Sequence, residues 1–173
     1  MSSLIFDAKT RQFRLAATSV PTFFVNNLTT PGLTRVERWL TRLWPCLVWT
    51  GGVGCPCLRR WTILDTRLGK LFLHRFLADD WSLDMHDHSA AMISVGLWGS
   101  YEEQTPTGVR HWHAPWIRRF PATWVHRLHL LTPHVWTLVW VWPHQRYSGF
   151  WHEGRWLSQG QYMPLFAKKR KSC

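Results

Sequence analysis

The period of the apolar positions changes along this chain. In TRVERWLTRL, between Thr34 and Leu43, Val36, Leu40 and Leu43 recur at helical spacing, and Arg35, Arg38 and Arg42 lie elsewhere around the wheel. That spacing predicts a short amphipathic helix with a basic polar face. Residues 1–32 read as an irregular arm: Thr22 to Val25 is apolar, but Pro21, Asn26, Asn27 and Pro31 break it up. From Arg59 onward the period becomes two. RWTILDT, KLFLHRFL, AAMISVGLW, SYEEQT, RHWHA, WIRRF, WVHRLHLL, VWTLVWVW and SGFWHEG are short runs of β-branched and aromatic residues separated by turn formers. With no long helical pattern between them, they predict an all-β antiparallel sandwich or closed barrel. In WTLVWVW, Trp136, Leu138, Trp140 and Trp142 share one face, which is either a barrel interior or a sheet-packing layer. The expected organisation is an arm, short helix and Cys/Gly loop packing on the barrel over 1–58, a β-barrel over 59–163, and a basic flexible tail over 164–173. There is no solenoid-type repeat.

Composition adds three constraints. A chain of 173 residues, 46% hydrophobic, can bury one domain's core and is not wholly disordered. No run of eighteen apolar residues exists, and MSSLIFDAKTRQFRL lacks the layout of a secretory signal, so the expectation is a soluble, cytoplasmic protein away from membranes, or a nuclear one in a eukaryotic host. The net charge of +11 and 14 tryptophans suggest nucleic acid, because cations neutralise phosphates and indoles stack on bases. The cations cluster on the early helix, at Arg59 and Arg60, and at Lys168 to Lys171, and the same excess could instead attract an anionic small molecule. Cys46, Cys55, Cys57 and Cys173 match neither a disulfide framework nor a C-x-x-C zinc pair, leaving structural thiols or a loop metal clip, in a reducing compartment.

The ten histidines carry the chemistry. His86-Asp87-His88 is an H-x-H. On a strand both imidazoles point to the same face and can converge on one point, and imidazole ligates Zn, Fe, Ni and Cu. Asp87 points the other way, either to orient an imidazole or to brace the loop. His111-Trp112-His113 is a second H-x-H, but Arg110 and the following Ala-Pro mark an edge strand. His129 faces away from His126. His74, after Leu71, Phe72 and Leu73, reads as a hydrogen-bonded core residue. His134, His144 and His152 lie near turn signals and read as exposed.

Two segments resemble the cupin superfamily: H-x-H, then the strand AAMISVGLWG and the strand start SYEE, and later PATWVH from Pro121 to His126. Pro121 and His126 match the spacing of the family's P-x-G-x-x-H, with Thr123 where glycine is usual. Leu73-His74-Arg75-Phe76-Leu77, Asp79-Asp80 and His86-Asp87-His88 also resemble small bacterial and phage cupin-like proteins of unknown substrate. The resemblance implies a cupin-type (double-stranded β-helix) barrel holding one divalent transition metal. The family's usual glutamate positions are Met92 and Ile93 here, so the implied ligand set is three histidines: His86, His88 and His126. That pattern is similar to thiol dioxygenases, where three histidines hold iron, and three histidines also hold catalytic zinc. The implied metal is iron, with Zn, Ni or Mn as alternatives. Tyr101 and Glu103 share a strand face, and Glu103 is expected either in the cavity, as a fourth ligand or acid/base beside the metal with Tyr101, or on the surface. Arg119 and Arg127 flank the last motif as candidate clamps for an anionic substrate. Two function classes follow: a metal-dependent, oxygenase-like enzyme on a small or medium anionic substrate, or a non-catalytic cupin that binds a ligand or nucleic acid through its basic surface. Cupins often pair through sheet edges, so a homodimer is a further expectation.

Overall fold

A computed structural model describes residues 32–50 and 56–166, together with the strand segments Leu4–Asp7, Gln12–Leu15 and Thr22–Val25. Those three segments are β1, β2 and β3, followed by helix α1 (Arg35–Leu43) and β4 (Cys46–Thr50). Next come β5 (Pro56–Thr66), β6 (Gly69–Phe76), β7 (Met85–His86), β8 (Met92–Trp98), β9 (Ser100–Thr105) and β10 (Gly108–His113). The chain continues through β11 (Trp116–Phe120), β12 (Arg127–Leu130), β13 (Val135–Val141), β14 (Gly149–His152), β15 (Arg155–Ser158) and α2 (Gln159–Phe166). The all-β expectation holds. Cys55, Cys173 and the basic run Lys168 to Lys171 lie outside the described residues.

One sheet has seven antiparallel strands in the order β11-β8-β13-β6-β5-β4-β3. The arm expected to be irregular contributes β3, which pairs along Phe23↔Val48 with β4, so the sheet continues N-terminally past residue 59. Two three-stranded sheets, β10-β9-β12 and β15-β14-β7, make up the opposite side. A single antiparallel bridge, His86↔His126, joins them.

Side-chain alternation sorts each long strand into two faces. On β13, Val135, Thr137 and Val139 are buried and alternate with Trp136, Leu138 and Trp140. Trp136 stacks on Trp61 at 5.6 Å, in the layer formed with Leu40, Cys46 and Val48 beneath α1. The tryptophan face of WTLVWVW is therefore a sheet-packing layer, and the interior of the barrel is lined by the alternate residues.

Helix α1 forms where predicted, but its seat differs. Of Val36, Leu40 and Leu43 only Leu40 is buried, and Glu37 is fully buried. Glu37 closes a capping box with Thr34, as a carboxylate three residues inside a helix start can. It also pairs with Arg59 and, at 2.7 Å, with Arg75, which face each other across β5 and β6. Hydropathy along the helix gives no reason to bury a carboxylate, but two guanidiniums on the sheet supply the compensation that burial demands. Helix α2 was not read from the sequence. Ser158 donates its backbone N–H and hydroxyl to Gln161 at its start, and Tyr162 stacks on Phe150 at 4.0 Å, which fixes α2 to β14.

Candidate metal centre

The His86↔His126 bridge decides where the imidazoles meet. His86 and His126 exchange both backbone hydrogen bonds, at 2.8 and 3.0 Å, so they sit directly opposite in an antiparallel pair. Directly opposed residues put their side chains on the same face, and His88, two residues beyond His86, returns to that face. The backbone N–H of His88 is held by Ala122 at 3.0 Å. Each histidine thus offers one ligand atom to a group whose members all lie within 4.8 Å of one another. The Nε2 atoms of His88 and His126 are 3.0 Å apart.

The donor set fits a divalent transition metal. Burial, followed by the neighbouring His126, holds His88 well below the usual imidazole range. Burial also lowers His86, against the opposing pull of Asp80. Both rings are therefore neutral and able to donate lone pairs near neutral pH.

Behind the imidazoles stand carboxylates. Glu103, on β9, is fully buried and accepts from His126 Nδ1 at 2.8 Å, Trp124 Nε1 at 2.9 Å, Trp112 Nε1 at 3.1 Å and Arg118 Nη1 at 2.7 Å. Burial pushes its carboxyl up, but the bonds from His126, Arg118 and Trp124 outweigh that and hold it at about 2. Because Glu103 accepts the Nδ1 proton, it fixes the tautomer of His126 and leaves Nε2 as the ligand atom. Asp80 lies 3.6 Å from His86 Nδ1 and accepts the Leu128 N–H at 2.7 Å. Asp87 turns away and braces the chain, accepting from Gly149 N, Arg146 Nη1 and Trp156 Nε1.

The three imidazoles open on a cavity of about 400 Å³. Phe72, Phe76, Phe120, Leu128 and Val139 give it apolar walls, and Tyr101, Arg60 and His74 face it among them. Arg60 Nε donates to His74 Nε2 at 2.9 Å, and its guanidinium lies over the Phe72 ring.

No family model and no curated protein matches this chain. Solved structures do. The polyketide cyclase RemF from Streptomyces resistomycificus is 14% identical and superposes with a TM-score of 0.51 over 65% of this chain and 80% of its own. A double-stranded β-helix protein from Klebsiella pneumoniae is 18% identical, with a TM-score of 0.43 over 53% of this chain and 81% of its own. A cupin domain from Bordetella pertussis is 16% identical, with a TM-score of 0.42 over 53% and 98%. The chain has the cupin fold.

Within this cupin barrel the sites read from sequence separate. His86, His88 and His126 converge. Glu103 and Tyr101 share the inward face of β9, but the Glu103 carboxylate lies on the Nδ1 side of His126, outside the ligand group, rather than as a fourth ligand. The Tyr101 hydroxyl accepts from Arg118 at 3.2 Å, and burial raises it far above its usual range, so it stays protonated. Neither Arg119 nor Arg127 lines the cavity. Arg119 is exposed, beside Trp142, and Arg127 donates to the Leu83 carbonyl at 3.2 Å. Arg118 is the inward arginine of β11, and the parity of WIRRF, with Trp116 and Phe120 on its face, carried that signal. Arg60 and Asp80 were also missed as site groups. Of the other histidines, His111 and His129 pair outside with Glu102 and Asp79, and His134 stacks on Trp98. His134 and His152, both expected to be exposed, are partly covered, and His152 pairs with Asp84 at 3.0 Å. Cys46 is a buried thiol raised to about 11 by desolvation, an inert core group. Among the described residues no helix is long and apolar enough to cross a membrane.

Proposed function

We propose that this cupin is a metal-dependent enzyme acting on a small anionic substrate inside the barrel, with iron as the metal and oxygenase-type chemistry. The observation that carries the reading is the set of three imidazoles converging on a largely apolar cavity, with no carboxylate among the ligand atoms. Imidazole ligands bring no negative charge, so the charge of a divalent ion is left uncompensated, which favours an anionic partner at its open positions. Bound there, the metal supplies Lewis acidity and, if iron, access to dioxygen chemistry. The resemblance of the three-histidine set to that of thiol dioxygenases supports iron over zinc.

The protein's own groups have distinct tasks in this reading. Glu103 holds the Nδ1 proton of His126 and keeps its ring oriented. Tyr101 keeps its proton and offers its hydroxyl to an oxygen atom of the substrate. The apolar walls exclude water from the reacting group. Protein reconstituted anaerobically with ferrous iron and exposed to nitric oxide should give the high-spin ferrous nitrosyl EPR signal. Absence of that signal, or an undiminished signal from His88→Ala, contradicts an open three-histidine iron site.

A second reading rests on α1. Arg35, Arg38 and Arg42 are exposed there beside Trp39, which is 56% exposed, a basic and aromatic surface suited to nucleic acid. A filter-binding salt titration separates the two: affinity that falls steeply with salt and survives loss of all three histidines supports this second role.

A further inference from the structure

A row of directly paired residues crosses the inner face of the seven-stranded sheet. Arg60 faces His74, His74 faces Thr137, Thr137 faces Gly96, and Gly96 faces Trp116, on five adjacent strands. On the two central strands the neighbours on that face are apolar: Phe72 and Phe76 beside His74, and Val135 and Val139 beside Thr137, whereas Ser94 neighbours Gly96 on β8 and Arg118 neighbours Trp116 on β11. At its centre the stripe therefore runs through an apolar wall.

Two members of the stripe lack partners. Thr137 is 2% exposed and its hydroxyl makes no hydrogen bond, and the buried Nε1 of Trp116 makes none either. Both residues line the cavity that receives the histidines. Buried polar groups are nearly always paired, so two orphans in one row call for an explanation. Their closeness is built in. A methyl on Gly96 would lie 2.3 Å from Trp116 Nε1, so the missing side chain lets the indole lie over β8, one strand from Thr137. At the other end, the Arg60 Nε–H occupies His74 Nε2, so the proton of the neutral ring sits on Nδ1. The indole and guanidinium are donors only, and the hydroxyl can donate. A donor-rich stripe selects an acceptor-rich group.

We propose that this stripe binds the carboxylate of the substrate, with Thr137 and Trp116 as its direct hydrogen-bond donors and Arg60 as its countercharge. The proposal rests on the reading of the cavity as a substrate site. Among the described residues that line the cavity, Arg60 is the only arginine or lysine, which matches a singly charged carboxylate better than a dianionic phosphate. The aromatic and aliphatic walls fit an apolar body attached to it.

The test uses benzoate, its neutral analogue benzamide, and inorganic phosphate, titrated calorimetrically into the full-length protein as purified and after chelator treatment. Benzoate should bind in both states and benzamide and phosphate should not. Thr137→Val and Trp116→Phe, each close in shape to the original, should weaken benzoate by about tenfold or more, with metal content unchanged, because each removes a bond to a charged acceptor. Unchanged benzoate affinity in both variants, no benzoate binding to the wild type, or equal binding of phosphate would overturn the proposal. Metal content measured on the same samples keeps the two claims apart. Benzoate binding that depends on Thr137 in a protein without stoichiometric metal would sustain the stripe and refute the metal enzyme. Stoichiometric metal with benzoate binding indifferent to Thr137 would do the reverse.

Discussion

Replacing Glu103 with glutamine is the sharpest perturbation of the frame around the histidines. The carboxylate is fully buried and accepts from four donors: His126, Trp124, Trp112 and Arg118. A glutamine amide keeps one acceptor oxygen and turns an NH₂ toward groups that are themselves donors, leaving Arg118 without its countercharge. Breaking a buried pair from one side costs about 3–5 kcal/mol. The carboxyl's displacement from 4.5 to about 2 gives a consistent figure, about 3 kcal/mol at 1.36 kcal/mol per unit. For a chain of this length that lowers Tm by about 6–12 °C at neutral pH. The pH dependence has a definite sign. The folded value lies below the unfolded one, so the stabilisation is fully present above about pH 4.5 and is lost as pH falls toward about 2. The Tm gap between wild type and Glu103→Gln, followed by circular dichroism, should therefore be wide at pH 7 and shrink as pH falls from about 4.5 toward 2. Equal Tm values at pH 7, or a gap that widens on acidification, would refute the account of this network.

Other perturbations test separate parts. Glu37→Gln leaves Arg59 and Arg75 facing an amide and should cost about 3–5 kcal/mol, with faster hydrogen exchange across α1; exchange as slow as in the wild type would show that the pair does not anchor the helix. Gly96→Ala places a methyl 2.2 Å from Trp116 Cε2, so the indole must leave its seat, which a shift in tryptophan fluorescence and a lower Tm would report. Asp80→Asn should weaken metal binding about 10- to 100-fold through loss of the carboxylate beside His86 Nδ1, measured by competition with a chelating dye; an unchanged affinity would remove Asp80 from the site.

The sequence carried the barrel because period-two runs between turn formers need no tertiary knowledge. It carried His86 and His88 because strand alternation alone puts them on one face. Joining His126 to them took a motif resemblance, since the deciding contact is a backbone bridge between residues 40 apart in the chain. Glu37 and Glu103 were harder. Each is buried only because guanidiniums from other strands meet it, a compensation that hydropathy along one segment does not contain. Arg118 could have been found: the parity that places Trp116 and Phe120 inside places Arg118 with them and Arg119 outside. The stripe from Arg60 to Trp116 was beyond local reading, because it exists only in the register of five strands.

The central claim, a metal held by His86, His88 and His126, is tested most directly by elemental analysis of protein purified without chelators. The account predicts about one equivalent of a divalent transition metal per wild-type chain, and near-complete loss in folded His86→Ala and His126→Ala. A wild type without stoichiometric metal, or variants that retain it in full, would contradict the account.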